Sequence, residues 1–229
     1  KFNCMQIQID RTLQACCRVF KLQPRGAAMA DNLFFHNYLN VLYNNTEEKE
    51  KFMADYNQVL DAGDVTGGVI NTVIEIPKWS TLKIEWNRKL AVFELDRVEP
   101  SIFAKPVNYG FIPQTLYEDG DELDTLVLTD DPIPTGVYLK ARVVGVMNFE
   151  DDGEMDHKVI CVPDDDRNTD NAIQSLDDLH DRWKQKIEHH FSHYKDLKKP
   201  GSTKVLGWGN ADDAKKIINE CIERYKKET

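Results

Sequence analysis

No stretch of the chain is apolar for long enough to span a bilayer as a helix, so it reads as soluble, with no membrane partner. Positive charge is short: 29 Lys and Arg face 39 Asp and Glu, a net charge of −10. Non-specific nucleic-acid binding needs phosphates neutralised, so a nucleic-acid partner is excluded, while the same balance suits a protein that gathers divalent cations. Cysteine is sparse and odd in number (Cys4, Cys16, Cys17, Cys161, Cys221), at spacings that fit no zinc or redox motif. That points to a reduced, intracellular setting. A phosphate-cradling Gly loop, a dinucleotide Gly motif and Ser or Cys nucleophile signatures are all missing. The chain opens at Lys1 and not at methionine, which suggests a processed or truncated form with any targeting segment out of view.

What is present is an ordinary globular composition, 41% hydrophobic and 30% charged over 229 residues, enough for one large domain or a domain plus an extension. Residues 1–66 read as a helical N-terminal extension. Phe2, Met5, Ile9, Leu13, Cys16 and Cys17 fall at helical spacing, Pro24-Arg25-Gly26 breaks it, and Leu33, Phe34, Tyr38, Leu39 and Leu42 form a second stripe. Asn45 to Glu48 has capping-box spacing ahead of Phe52, Tyr56 and Leu60. Such stripes say only that a face is buried, so assembly or targeting and simple packing on the main domain stay equally open. Residues 67–229 read as the main domain. Val69–Ile76, Leu82–Trp86, Ala91–Leu95, Leu123–Leu128, Tyr138–Met147 and Lys158–Val162 read as strands, closely spaced and without helices between them, which argues for an antiparallel barrel or sandwich. Two helices follow. Leu179, Trp183, Ile187, Phe191 and Tyr194 mark one, with Ser175–Asp178 as its cap. Ala214, Ile217, Ile218, Cys221, Ile222 and Tyr225 mark the other, capped by Asn210–Asp213.

The densest chemical feature is Asp119-Gly120-Asp121-Glu122-Leu123-Asp124, four acids in six residues before an apolar run. Repulsion at that density is tolerable on a wet turn or around cations, and the stretch alone leaves both open. It does not fit a calcium-binding EF-hand loop, because Leu123 and Asp124 occupy positions that require Asp or Asn and Gly. Glu75 lies between Ile74 and Ile76, Lys83 and Glu85 share one face of their strand, and Arg97 and Tyr109 follow; a site and the solvated face of a half-exposed sheet fit equally well. A second acidic cluster, Glu150 to Lys158, joins two strands, and Asp164-Asp165-Asp166 reads as a solvated loop. His189 and His193 have the spacing of a metal pair but lack the intervening Glu and further ligands, which disfavours zinc.

Glu75-Ile76-Pro77, Asn108-Tyr109-Gly110, Asp119 to Asp124, Gly153 to Lys158 and His193-Tyr194-Lys195-Asp196, in that order, resemble the motifs of the family I soluble inorganic pyrophosphatases. Gly207-Trp208-Gly209-Asn210-Ala211 resembles their last loop and helix, so the likeness covers roughly residues 69–229. Glu122 stands where many members have proline and reads as a turn residue without a role. The resemblance implies an α+β fold: a five-stranded OB-like antiparallel β-barrel with flanking C-terminal helices. It implies hydrolysis of pyrophosphate to two phosphates with several Mg²⁺ ions and a metal-bridged water. Asp119, Asp124 and Asp156 would bind the first metal, with Asp124 bridging to the second. Asp151 (Asp152 being the competing alignment) and Glu75 would serve metals that arrive with substrate. Asp121 would be the general base, Lys83, Arg97, Lys158, Tyr194 and Lys195 the phosphate contacts, and Glu85 and Tyr109 would complete the inner site. Short polyphosphates are an expected side substrate. The long extension resembles that of the kinetoplastid acidocalcisomal soluble type, which sets an acidocalcisome against the cytoplasm as compartment. A homo-oligomer, assembled through the extension, is also expected. The competing reading is a catalytically inactive OB-barrel scaffold or binding protein.

Overall fold

The structure, a computed structural model, describes residues 55–168 and 171–228. The helical stripes and capping-box spacing expected before residue 55 lie outside them. One compact unit, Met53–Thr229, contains every described element.

It opens with a single helical turn, α1 (Tyr56–Val59), where the Asp55 side chain accepts from the Asn57 amide at 3.0 Å. The stripe expected to continue through Leu60 stops there, because Leu60 is already extended. β1 (Gly63–Asp64) then pairs antiparallel with β2 (Val69–Ile76). The strands β3 (Leu82–Asn87) and β4 (Val92–Val98) form a separate hairpin, followed by a 3₁₀ turn at Ser101–Phe103. Next come β5 (Asn108–Phe111), β6 (Asp124–Val127), the long β7 (Tyr138–Asp151), β8 (Glu154–Met155) and β9 (Lys158–Pro163). The chain ends in α2 (Asp181–His193), β10 (Thr203–Asn210) and α3 (Ala211–Glu228).

Hydrogen bonding runs β2–β5–β6–β9–β7 and returns from β7 to β2, a closed ring of five strands. Four of its pairs are antiparallel, but β6 and β9 run parallel. The expected five-stranded barrel is present, antiparallel except at the β6–β9 pair. The reason is parity: strand directions cannot alternate all the way round a ring with an odd number of members. At Gly110 the barrel closes tightly, since a Cβ there would lie 2.1 Å from the Val73 carbonyl oxygen.

Adjacent residues of one strand separate into two apolar clusters. Val127, Cys161 and Val143 join Ala214, Ile218 and Cys221 of α3. Leu126, Ile160 and Val144 join Ile187 and Phe191 of α2. Both faces of these strands are therefore covered, which is why they read as near-continuous apolar runs. Each fully buried large side chain contributes about 1.5–3 kcal/mol. The β3–β4 hairpin is fixed through Trp86, which packs on Phe111, Phe93 and Tyr56 with ring centroids 5.0–6.2 Å apart.

The Asn210–Asp213 box forms as expected: the Asp213 amide donates to Asn210 Oδ1 at 3.0 Å and the Asn210 amide to Asp213 Oδ2 at 2.9 Å. The Ser175–Asp178 box also forms, but it caps a 3₁₀ turn at Leu176–Asp178. Leu179 is extended, and α2 begins afresh at Asp181, with the His180 ring accepting from the Arg182 amide at 3.1 Å. No helix among the described residues is long and apolar enough to cross a membrane.

Candidate functional site

The ends of several strands converge on one cavity of about 220 Å³. β2 supplies Glu75, β3 supplies Lys83 and Glu85, and β5 supplies Tyr109. The loop before β6 brings Asp119 and Asp121, and the first residue of β6 is Asp124. The end of β7 provides Asp151, the turn into β9 Asp156, the start of β9 Lys158, and the C-cap of α2 Tyr194. Eleven of the thirteen residues singled out from the sequence thus line one cavity. The other two, Arg97 and Lys195, line an adjoining groove of about 540 Å³ that shares Lys83, Asp151 and Tyr194 with it. Asp151 is in both walls, whereas Asp152, in the left-handed region at φ 55°, lines only the groove, where it pairs with Lys195 at 3.2 Å and Lys199 at 2.5 Å.

The acidic loop is shaped by its own backbone. Gly120 has φ 96°, which favours glycine, and the Asp121 amide donates to Asp119 Oδ1 at 3.0 Å. Glu122 departs from its expected place as a turn residue without a role. It is buried, accepting from Asn57 Nδ2 at 2.6 Å and Arg88 Nε at 2.7 Å, so it ties the loop to α1 and to the β3–β4 hairpin.

Inside the cavity, cationic side chains lie among the acids. The Lys158 ammonium is held between Asp124 and Asp156, 2.5 Å from Asp156 Oδ1. Burial alone would lower its pKa, but these two carboxylates hold it above the ordinary lysine value. Lys83 pairs with Glu85. Asp151 accepts from the Tyr194 hydroxyl at 2.9 Å and from Lys195 at 2.5 Å. The Tyr109 hydroxyl donates to Asp124, and Glu75 accepts from the Trp86 amide at 2.7 Å. In the groove, Arg97 is paired with Asp96 and Glu99.

Even so, negative charge is in excess. Burial and then Asp124 push Glu75 well above the usual carboxylate range; burial and then Asp119 raise Asp121. Burial raises Asp156 against the pull of Lys158. Among the described residues no three acidic, histidine or cysteine side chains already enclose a space for an ion. The donor set nevertheless fits hard divalent cations: it is built of carboxylate oxygens from Glu75, Asp119, Asp124, Asp151 and Asp156, crowded in one cavity with fewer lysines than acids. His189 and His193 lie apart from this cavity, their rings 4.5 Å from each other.

Two charged cavity residues were missed from the sequence, Lys105 and Glu122 as a wall residue. Lys105 precedes Pro106 in a loop and carries no periodic signal.

The profile described as inorganic pyrophosphatase matches residues 72–226. An inorganic pyrophosphatase of Neisseria meningitidis serogroup B is 65% identical over 176 residues, covering 77% of this chain and 99% of the relative. One from Haemophilus influenzae is 62% identical over 173 residues, 76% and 98% of the two chains. Among solved structures, an inorganic pyrophosphatase from Neisseria gonorrhoeae superposes with a TM-score of 0.74 at 64% identity, covering 75% of this chain and 99% of that one. An N-terminally truncated Trypanosoma cruzi vacuolar soluble pyrophosphatase in complex with PPi is similar at TM-score 0.63 and 22% identity, over 70% of each chain, a likeness of fold alone.

Proposed function

The chain belongs to the inorganic pyrophosphatase family, and we propose that it hydrolyses inorganic pyrophosphate in the acidic cavity, with Asp121 as the base that takes a proton from the attacking water. The observation that carries this reading is the convergence of carboxylates, lysines and tyrosines from six strands and a helix on one cavity.

Enzymes of this family depend on divalent metal, and Mg²⁺ is our choice because the donors are hard oxygens. Asp119, Asp124 and Asp156 would hold it on one side and Glu75 and Asp151 on the other. Bound there, it would offset substrate charge and acidify a water. The chain's own groups do the rest. Lys83 and Lys158 within the cavity, and Arg97 and Lys195 at the groove, take phosphate oxygens, with the Tyr194 hydroxyl as a further donor. Tyr109 fixes the Asp124 carboxylate through its hydroxyl, and Glu85 orients Lys83. Asp121 reaches solvent from the cavity rim and makes no ion pair with a described lysine, and its raised pKa, from partial burial and then Asp119, improves it as a base.

The test is phosphate release from pyrophosphate with Mg²⁺. The parent should turn over, and Asp121→Asn should keep its fold and metal affinity while losing about 10²–10⁴-fold in kcat. Near-parental hydrolysis by Asp121→Asn would remove the base from Asp121. A parent that binds pyrophosphate without cleaving it would favour the scaffold reading instead.

The catalytic domain is better taken to begin near Met53 than at residue 67. The described residues 55–66 pack into the barrel, with Ala62 and Val65 in its core. A cytoplasmic setting is our reading, supported by the bacterial relatives at 62–65% identity, and the acidocalcisome is not carried forward. Self-assembly is proposed from the exposed Trp79, Leu90, Ile102 and Leu197. Light scattering of the chain with and without residues 1–52 separates assembly through the domain from assembly through the extension.

A further inference from the structure

Three lysines line the cavity, and two of them are already matched by carboxylates: Lys83 by Glu85, and Lys158 by Asp124 and Asp156. The third, Lys105, is only 7% exposed. Its ammonium makes no ion pair or hydrogen bond with a described residue. It stands instead over three aromatic rings, 5.0 Å from the centroid of Tyr109, 5.1 Å from Tyr194 and 5.4 Å from Phe191. The backbone needs nothing from this side chain: the Lys105 amide donates to the Ser80 carbonyl at 3.0 Å, and its carbonyl accepts from the Trp79 amide at 2.8 Å.

A largely buried lysine with no carboxylate in hydrogen-bond range is unfavourable, and the ring faces and the more distant Asp124 and Glu99 offset only part of the desolvation. Burial, with Lys83 and Lys158 nearby, lowers its pKa to about 7. An aliphatic side chain of the same length would fill the space without that cost. The charge therefore gains most from a partner outside the folded chain, and the cavity it lines is the proposed pyrophosphate site.

We propose that Lys105 is a substrate-binding residue: its ammonium, aimed by the three rings, takes a phosphate oxygen of pyrophosphate and completes its own coordination only when substrate is bound. The proposal rests on the reading of this cavity as the pyrophosphate site. With a neutral side chain at position 105, the cavity wall would hold the same shape but lose one charge-assisted contact.

Titration calorimetry with methylenediphosphonate, a non-hydrolysable diphosphonate, in the presence of Mg²⁺ tests it on the full chain. The parent should bind; Lys105→Met and Lys105→Gln should bind on the order of 10- to 100-fold more weakly, as expected for one contact to a charged group. Both variants should melt, without ligand, at or above the parent's temperature, because an unmatched buried charge is gone. A parent that fails to bind the diphosphonate refutes the reading of the cavity itself. A parent that binds, with both variants binding equally tightly, refutes only the role of Lys105. Ligand-free melting below the parent's in both variants makes Lys105 a structural residue and likewise overturns the proposal.

Discussion

Replacing His190 by phenylalanine should make the protein less sensitive to acid. His190 lies on α2, 8% exposed, with its ring stacked on Tyr194 at 5.8 Å and 15° and edge-on to Phe191 at 5.1 Å. Its Nε2 is buried without a partner. Burial, then Lys105 and His189, push its pKa down to about 3, against an ordinary value of 6.5. Because the folded pKa is depressed, the unfolded chain binds more protons. The contribution to stability is complete above about pH 6.5 and is lost as pH falls toward 3. At pH 5 the loss for this one ring is about 2 kcal/mol, from a proton that binds the unfolded chain about 1.5 pH units below its pKa. For a unit of this size that is about 4–8 °C in Tm. Glu75, Asp121 and Asp156, whose pKa values are raised, act in the opposite direction, gaining stability as pH falls through their folded values. They are common to both proteins, so the difference between the two isolates His190. Thermal melts of parent and His190→Phe at pH 7.5 and pH 5, in EDTA, should show a fall smaller in the variant by about 4–8 °C. Equal falls would refute the neutral, buried state of this ring.

Lys158→Met should lower stability in EDTA by about 3 kcal/mol, because it leaves Asp124 and Asp156 facing each other without the cation that is 3% exposed between them. Added Mg²⁺ should then raise the variant's Tm more than the parent's; equal increments would count against those carboxylates as a cation site. Gly110→Ala should cost about 2–3 kcal/mol in urea unfolding, since the new Cβ meets the backbone carbonyl of Val73 at 2.1 Å. A parental midpoint would mean that β2 and β5 can separate freely. Ca²⁺ offered in place of Mg²⁺ should abolish most phosphate release, because its looser and larger coordination misplaces the reacting groups. Full turnover with Ca²⁺ would sink the mechanism.

The strands from Val69 to Leu95 were legible because alternation and β-branched side chains mark half-buried sheet, and α3 because its stripe and cap are both local. β10 was not. Gly207 and Gly209 made it read as loop, yet Gly207 at φ 130° accompanies a register shift against β7, and a Cβ at Gly209 would lie 2.9 Å from Val146 Cγ1. β5 hid for a similar reason, its Gly110 being required by close approach. Within the site, alternation put Lys83 and Glu85 on one face, and they do pair there, but alternation alone could not tell a site from a wet face. The ordered motifs made that choice. Glu122 was misread because its partners, Asn57 and Arg88, lie 65 and 34 residues away, and long-range pairing leaves no trace in a local pattern. Lys105 was invisible for the opposite reason: a lysine in a loop is normally solvated, and only the closing of Tyr109, Phe191 and Tyr194 around it makes it unusual.

Eight acidic side chains and three lysines line the cavity, so a pyrophosphate anion approaching the chain alone meets net repulsion. Two agents can relieve it. Protons would do so readily, since burial and mutual repulsion already raise Glu75, Asp121 and Asp156. The base proposed at Asp121, however, could not accept a proton once protonated, and the carboxylates proposed as cation ligands would lose their grip. Divalent cations relieve the same repulsion while leaving Asp121 ionised. The excess of acid is therefore not a defect that the lysines fail to correct. Lys158 and Lys195 hold Asp124, Asp156 and Asp151 in place, yet leave the cavity short of positive charge. That deficit makes the cavity a better host for cations and substrate together than for substrate alone.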